Sequence, residues 1–215
     1  MRSKFFHERL YRGNAFIKQM GQLRLIVCGA GAVGSHLVNN MVRQGVSSLA
    51  VIDFDRVEQH NIGTQTYTES DIGLFKVEAL QSEMFRAAGV EIKAVRQKLT
   101  ERNIRKWFKN ADLVADGFDN HISRKIVTEY CREAAIDCLH VGLSADYAEI
   151  IWNENYTQPQ DTDTEDVCDY PMARNLIQFA VALASEAIVR FVMAGRKEDY
   201  SFTLNDFKIN WHDRS

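Results

Sequence analysis

Short apolar runs alternate with segments of helical periodicity along most of this chain. The run at residues 23–28 stops at a glycine, and apolar side chains then recur at helical spacing from Leu37 to Val42. Similar runs follow at residues 48–53, 91–95, 112–115, 137–141 and 148–152. Unbroken apolar runs are typical of strands buried on both faces of a parallel sheet. The pattern predicts an α/β, Rossmann-like fold: a mostly parallel sheet with helices on both faces and a ligand crevice at the carboxyl ends of the strands.

The second half of the chain ends in a long helix and a hairpin. Residues 153–170 show no period and are rich in acidic side chains, so we expect a crossover loop with a functional role. Pro171 suits the first turn of a helix predicted over residues 171–195. Residues 200–204 and 207–210 predict a closing hairpin.

Two helical segments are expected earlier in the chain. One covers residues 1–22, and the other begins at Ser70 or Asp71 and ends at Ala88 before a glycine. No repeat or linker interrupts the sequence, so we expect residues 1–215 to form a single domain.

Composition and charge exclude several classes of protein. With 46% hydrophobic residues and only 2 prolines in 215 positions, the chain is unlike a disordered or fibrous protein. A net charge of -3 argues against nucleic acid as the main partner. The apolar stretch at residues 176–193 is interrupted by charged side chains, and the N-terminus lacks the apolar core of a signal peptide. We therefore expect a cytoplasmic protein without a membrane partner. No C-x-x-C pair occurs among its cysteines, so no structural zinc is expected.

The sequence GAGAVG at residues 29–34 follows a predicted strand and opens a predicted helix. Gly29 permits a tight turn, Gly31 lets the backbone approach a phosphate, and Gly34 lets helix and strand pack closely. Asp53, at the end of the second strand, stands where an acidic residue binds ribose hydroxyls. These features predict a nucleotide site, and they suit NAD as well as ATP.

Further polar residues follow in an order that an NAD enzyme does not need. A lysine near the phosphates neutralises charge that grows as pyrophosphate leaves, and a carboxylate can hold the Mg²⁺ that bridges phosphate oxygens. Lys76 and Asp119 are the candidates for these two roles. In chain order, the full set comprises Asp53, Asp55, Asn61, Gln65, Lys76, Asp119, Asn120 and Arg124.

This order resembles the ThiF/MoeB/HesA family, the E1-like adenylating enzymes that activate ubiquitin-like proteins, over about residues 10–195. The resemblance implies ATP at the crevice, with Asp53 at the ribose, Lys76 at the phosphates and Asp119 at Mg²⁺. It implies an ATP-dependent adenylyltransferase, acting as a homodimer on the C-terminal carboxylate of a ubiquitin-like or sulfur-carrier protein ending in Gly-Gly. Further nucleotide contacts are implied for Gly29, Gly31, Ala32, Gly34, Asp55, Asn61, Gln65, Asn120 and Arg124.

The resemblance also implies two further catalytic residues and has three departures. Arg12 matches an N-terminal arginine that commonly reaches into the partner subunit's site. Cys168 stands where the family places a cysteine that takes the activated acyl group or sulfur, although its acidic neighbours disfavour a thiolate. Thr64 replaces a family arginine, which removes a phosphate-facing positive charge. Ala32 stands where glycine is common, and the paired C-x-x-C zinc site is missing.

Two other functions stay open on the sequence alone. One is a catalytically weak or inactive E1-like scaffold subunit, which Thr64 supports. The other is an NAD-dependent oxidoreductase, which the glycine turn and Asp53 would serve but which does not need Lys76, Asp119 or Asn120.

Overall fold

Eight strands form one sheet in the computed structural model, which describes residues 3–158 and 171–212. Their order across the sheet is β3-β2-β1-β4-β5-β6-β7-β8. The strands β3, β2, β1, β4 and β5 run parallel, and β6, β7 and β8 continue the sheet in antiparallel pairs. The strands are β1 Arg24–Cys28, β2 Ser48–Asp53, β3 Lys93–Arg96, β4 Leu113–Asp116, β5 Asp137–Ser144, β6 Tyr147–Trp152, β7 Asp199–Thr203 and β8 Ile209–His212.

Helices cover both faces of this sheet, as the sequence predicts. They are α1 Phe6–Arg12, α2 Asn14–Gln22, α3 Ala32–Arg43, α4 Lys76–Ala88, α5 Ile104–Phe108, α6 His121–Glu133 and α7 Arg174–Ala194. Two short 3-10 turns, Gln59–Asn61 and Glu69–Asp71, lie between β2 and α4.

Alternate side chains of the central strands enter two separate cores. In β1, Leu25 and Val27 pack in the cluster that contains α3, α4 and α7, whereas Ile26 and Cys28 pack in the cluster that contains α5 and α6. A strand whose successive side chains are all buried in this way is apolar throughout, because neither of its faces meets water. The unbroken apolar run in β1 therefore indicates a strand that lies between two helical layers.

The long helix α7 lies in the larger core and packs against α3, β5 and β6. By length and composition alone this helix could cross a membrane, but half of its most apolar window is buried inside the protein. Its apolar residues Leu176, Val181 and Ile188 face the core. The core position accounts for the apolar composition of α7.

Two predicted helix starts are wrong. The helix α4 begins at Lys76 instead of Ser70 or Asp71, because the Asp71 carboxylate accepts the backbone N–H of Thr68 and closes a 3-10 turn that ends before Gly73. Gly73 has a left-handed φ of +87°, which an α-helix does not accommodate.

Pro171 is also misplaced by the sequence prediction, since α7 begins three residues later at Arg174. The N-terminal helical segment is divided into α1 and α2 at Gly13, whose φ of +88° breaks the helix. The predicted closing hairpin is present as β7 and β8. Residues 153–158 of the expected crossover loop carry no helix or strand, and residues 159–170 lie outside the described part of the chain.

Candidate functional site

The glycine turn joins β1 to α3 at the carboxyl edge of the sheet. A Cβ at Gly34 would stand 1.9 Å from the carbonyl oxygen of Gly29, so only glycine allows this helix to approach this turn. Gly29 has a left-handed φ of +88°. A Cβ at Gly31 would meet nothing within 4 Å, so open space lies above the turn. The first turn of α3, which includes Ala32, offers backbone N–H groups without intrahelical acceptors, and these can bind an anion in that space.

Asp53 ties the end of β2 to this turn. One carboxylate oxygen accepts the N–H of Ala30 at 2.7 Å, and the other accepts the N–H of Asp55 at 2.7 Å. Burial raises the pKa of Asp53 above its usual value, and the positive charge of Lys76 partly offsets that effect. Each oxygen keeps a second lone pair, so the carboxylate can also accept hydrogen bonds from the hydroxyls of a ribose.

Lys76 is the first residue of α4, and its ammonium lies at the same edge of the sheet. Its backbone N–H donates to the carbonyl of Asp55 at 2.9 Å, and Nζ lies 3.3 Å from Oδ2 of Asp55. The Lys76 side chain is only 10% exposed, whereas that of Asp55 is half exposed. A cation so poorly hydrated interacts strongly with an anion that enters the crevice.

The segment from Asn61 to Gln65 lies over the first turn of α3. Nε2 of His36 lies 3.1 Å from the carbonyl oxygen of Thr64, and Oγ of Ser35 accepts the N–H of the residue after Gln65 at 3.3 Å. Asn61 is buried, and its Oδ1 accepts a backbone N–H. Gln65 is also buried, and its Oε1 has no hydrogen-bond partner among the described residues. A buried amide in this state is able to bind a ligand.

Asp119 follows β4, which pairs with β1 in the sheet. The loop that carries Asp119 touches the glycine turn, since a Cβ at Gly29 would lie 3.1 Å from the carbonyl oxygen of Gly117. Asp119 is exposed, and Asn120 caps α6 by accepting the N–H of Ser123 at 2.8 Å. The structure thus brings the loop before Asp119 against the glycine turn and gives the Asn120 amide a capping role, and metal binding by Asp119 stays a prediction.

Arg124 lies beneath that loop instead of facing the open crevice. Its Nε donates to the carbonyl of Phe118 at 2.5 Å, and its Nη2 donates to that of Val141 at 2.6 Å. Asp116 accepts the N–H of Phe118 at 3.1 Å, so both backbone groups of Phe118 are held. These contacts position the loop, and a direct contact between Arg124 and a nucleotide stays a prediction.

A buried polar network that the sequence did not reveal supports the same loop. Nδ1 of His140 lies 2.9 Å from Oδ2 of Asp116, and its Nε2 lies 2.8 Å from Oδ1 of Asn153. Burial alone would raise the pKa of Asp116, but the charge of Arg124 and the hydrogen bond from His140 lower it below its usual value. The signal available in the sequence was a histidine in the middle of an apolar strand, which a fully buried position tolerates only with partners.

Tyr67 is a second residue that the sequence did not single out. Its hydroxyl donates to the carbonyl of Ala30 at 2.7 Å and lies 3.3 Å from that of Lys76. The buried ring therefore links the glycine turn to the start of α4. An aromatic residue two positions after Gln65 was the available signal.

Arg12 is held by ion pairs on α1 and α7. Its guanidinium binds Glu8 at 2.9 Å and Glu186 of α7 at 2.7 Å. The hydrogen bond to Glu186 raises the pKa of Arg12 above its usual value. Its predicted reach into a second subunit stays a prediction.

Cys168 lies outside the described residues, so its catalytic role stays a prediction. Cys28, Cys131 and Cys138 are buried and carry free thiols. Burial raises the pKa of Cys28 and of Cys138 well above the usual value, which leaves both thiols uncharged and suited to core packing.

Magnesium is the metal that the resemblance implies, and the residues present fit it. Within residues 3–158 and 171–212, no three histidine, cysteine or carboxylate side chains form a metal cluster. Mg²⁺ in nucleotide sites is held by one or two carboxylates together with phosphate oxygens and water. A single exposed carboxylate such as Asp119, beside a space open to phosphates, has this character.

Comparison with curated proteins finds relatives named as adenylyltransferases and as E1 activating enzymes. The chain is 29% identical over 134 residues to the sulfur carrier protein ThiS adenylyltransferase of Bacillus subtilis, covering 60% of this chain and 40% of that protein. It is 28% identical over 120 residues to the SAMP-activating enzyme E1 of Haloferax volcanii, covering 54% of this chain and 44% of that protein. The aligned stretches span less than half of either relative.

Solved structures share the fold of this chain. Escherichia coli MccB, crystallised with a MccA peptide, superposes with a TM-score of 0.85 at 15% identity over 99% of this chain and 72% of MccB. MccB crystallised with ATP gives a TM-score of 0.81 at 16% identity over 98% of this chain and 71% of MccB. The ThiF family model matches residues 7–210. A match over nearly the whole chain shows that this protein belongs to the ThiF family.

Proposed function

We propose that this protein is an ATP-dependent adenylyltransferase that activates the C-terminal carboxylate of a ubiquitin-like or sulfur-carrier protein ending in Gly-Gly. A carboxylate oxygen of the carrier attacks the α-phosphorus of ATP. The bond from that phosphorus to the bridging oxygen breaks, and the products are an acyl adenylate and pyrophosphate. The relatives from Bacillus subtilis and Haloferax volcanii support this substrate class by their names.

The observation that carries the proposal is the poorly exposed ammonium of Lys76 at the carboxyl end of β2, next to Asp53 and Asp55. A dinucleotide site needs an acid for the ribose but does not need this cation. A triphosphate does need it, because negative charge builds on the departing pyrophosphate. Lys76 therefore favours ATP over NAD as the nucleotide.

Each of the other candidates has a task in this reaction. Asp53 holds the ribose, and the first turn of α3 with Gly31 holds phosphate oxygens through backbone N–H groups. Asp119 would hold Mg²⁺, which would supply positive charge to the phosphates. The gain in rate comes from placing two anions together and stabilising the leaving group.

A thioester is the proposed second step. The Cys168 thiolate attacks the acyl carbon of the adenylate, and AMP leaves. The resemblance also supports a second copy of the chain as the partner, with Arg12 reaching into the neighbouring site.

The direct test of the proposed function is exchange of labelled pyrophosphate into ATP, with Mg²⁺ and a panel of ubiquitin-like and sulfur-carrier proteins ending in Gly-Gly. We expect exchange with at least one carrier and none with carriers that lack the last glycine. Exchange with no carrier would refute the enzymatic proposal. A thermal shift produced by NAD and not by Mg-ATP would favour the oxidoreductase instead.

Lys76→Met keeps most of the side-chain volume and removes the charge. We expect the exchange rate to fall about 10²-fold, the effect of losing one electrostatic contact to the leaving group. The matched control is Lys125→Met, which removes an exposed lysine from the outer face of α6. An exchange rate within twofold of the wild type in Lys76→Met would remove Lys76 from the site.

Cys168→Ala separates the two proposed steps. Adenylate formation, measured by pyrophosphate exchange, should stay unchanged because the thiol acts only after the adenylate has formed. A carrier adduct that thiols cleave should disappear on a non-reducing gel. If the adduct persists in Cys168→Ala, another group takes the acyl chain.

Thr64 favours a second candidate function, that of a catalytically weak or inactive E1-like scaffold. The Thr64 side chain is uncharged, and its carbonyl oxygen lies 3.1 Å from Nε2 of His36. A scaffold would bind ATP or a carrier without exchanging pyrophosphate. Measuring binding and exchange on the same preparation distinguishes the two functions.

A further inference from the structure

Carboxylates follow β2 and β4 close to the space proposed for the phosphates. Asp53, Asp55 and Asp119 provide three carboxylates, and Lys76 lies within ion-pair distance of Asp55. A triphosphate adds several negative charges, which a single Mg²⁺ and a single ammonium do not balance. A second protein cation near the phosphates would relieve this repulsion.

Arg174, the first residue of α7, is a cation that contacts the segment over α3. Its Nη1 donates to the carbonyl of Gly63 at 3.0 Å, on the segment that lies over the first turn of α3. His36, in the second turn of α3, supports the placement. Its Nε2 lies 3.1 Å from the carbonyl oxygen of Thr64, and its pKa is lowered by burial and further by the charge of Arg174. The guanidinium is thus close to the helix terminus that would bind phosphate.

The contact with Gly63 leaves the guanidinium able to bind an anion. A guanidinium has five N–H donors and this bond uses one of them. Arg174 is exposed, so a ligand can reach it. A positive charge in the first turn of a helix is unfavourable to that helix, because the N-terminus is already the positive end of the helix dipole. Stability of α7 therefore does not account for an arginine at this position.

We propose that Arg174 binds the β- or γ-phosphate of ATP and supplies the positive charge that Thr64 lacks. The inference rests on the proposed function, because it concerns the same nucleotide. It assigns the second phosphate-binding cation of this chain to α7 instead of to the segment from Asn61 to Gln65. Arg174 then stabilises the departing pyrophosphate together with Lys76.

The test compares nucleotides that differ in their phosphates. In titration calorimetry at constant ionic strength, Arg174→Ala should bind Mg-ATP about tenfold more weakly than the wild type, as expected for loss of a charge-assisted hydrogen bond. Its affinity for AMP, which lacks the β- and γ-phosphates, should stay within twofold. The matched control is Arg43→Ala, since Arg43 is an exposed arginine at the opposite end of α3.

Two further variants separate charge from loop anchoring. Arg174→Gln can still donate to the carbonyl of Gly63 but carries no charge, so it should bind ATP as weakly as Arg174→Ala. Adding Thr64→Arg to Arg174→Ala should restore most of the ATP affinity, because it returns a cation to the same neighbourhood.

The remaining outcomes contradict either the role of Arg174 or the proposed function. Equal losses of affinity for ATP and for AMP in Arg174→Ala would show that Arg174 only anchors the loop at Gly63. Unchanged ATP affinity together with loss of the carrier adduct would show that Arg174 acts with Cys168 instead of with the phosphates. Either result overturns the inference and leaves the proposed function intact. A wild-type protein that does not bind Mg-ATP overturns both.

Discussion

Asp119→Ala is expected to lower the rate of pyrophosphate exchange about 10³-fold, which corresponds to about 4 kcal/mol of transition-state stabilisation. Asp119 is exposed, follows a loop that touches the glycine turn, and is the carboxylate proposed to hold Mg²⁺ against the phosphates. The measurement is labelled-pyrophosphate exchange at saturating ATP and at the lowest Mg²⁺ concentration that gives the wild type its full rate. The melting temperature should not change, because the side chain is not part of the core.

The control for this variant is Glu129→Ala, which removes an exposed carboxylate from α6, the helix that follows Asp119. Its exchange rate should equal that of the wild type. Raising the Mg²⁺ concentration should recover part of the activity of Asp119→Ala, since the weakened site is then filled by mass action. Near-normal exchange by Asp119→Ala at low Mg²⁺ would exclude Asp119 from the metal site.

Gly34→Ala is expected to destabilise the protein by about 3 kcal/mol and to abolish ATP binding. The new Cβ would stand 1.9 Å from the carbonyl oxygen of Gly29, so the first turn of α3 must move away from the glycine turn. For a chain of this length the melting temperature should fall by about 10 °C. Thermal denaturation and ATP titration of the same sample measure both effects.

Gly31→Ala is the matched comparison, because its Cβ would meet nothing within 4 Å. The folded protein should keep its melting temperature, while the methyl group occupies the space proposed for a phosphate and weakens ATP binding. Gly34→Ala thus tests packing, and Gly31→Ala tests ligand access. Unchanged ATP affinity in Gly31→Ala would show that phosphates do not lie above this turn.

The central strands could be predicted because burial on both faces requires apolar residues at successive positions. β1 is apolar from Leu25 to Cys28 and β2 from Leu49 to Ile52, since these side chains enter a helical layer on either side. The glycine turn was predictable for a related reason, as the contact between Gly34 and Gly29 leaves no room for a side chain. Both features depend on local constraints that admit few residue types.

Element boundaries depended on contacts that no local pattern contains. The start of α4 is set by a 3-10 turn in which Asp71 and Thr68 bind each other, and the same two residues would also suit a helix cap. The start of α7 at Arg174 coincides with a contact to Gly63, a residue far away in the chain. Sequence spacing alone does not reveal either arrangement.

Some residues of the candidate site could be predicted from the sequence and others could not. Asp53 was predicted at the crevice because it ends β2, and the carboxyl ends of neighbouring parallel strands share an edge of the sheet. The place of Lys76 beside Asp55 was implied by the family resemblance. The part played by Arg124 could not be read from its spacing to Asp119, because its guanidinium turns inward to carbonyl groups of Phe118 and Val141. The partners of His140 could not be predicted because they come from other elements.

The central claim is that the turn at Gly31, Asp53, Lys76 and Asp119 together bind a nucleoside triphosphate. A crystal structure of the protein with Mg²⁺ and a non-hydrolysable ATP analogue tests it most directly. We expect the phosphates over Gly31 at the first turn of α3, the Lys76 Nζ within hydrogen-bond distance of a phosphate oxygen, and the ribose on Asp53. An analogue bound away from the glycine turn, with Lys76 still paired to Asp55, would contradict the account.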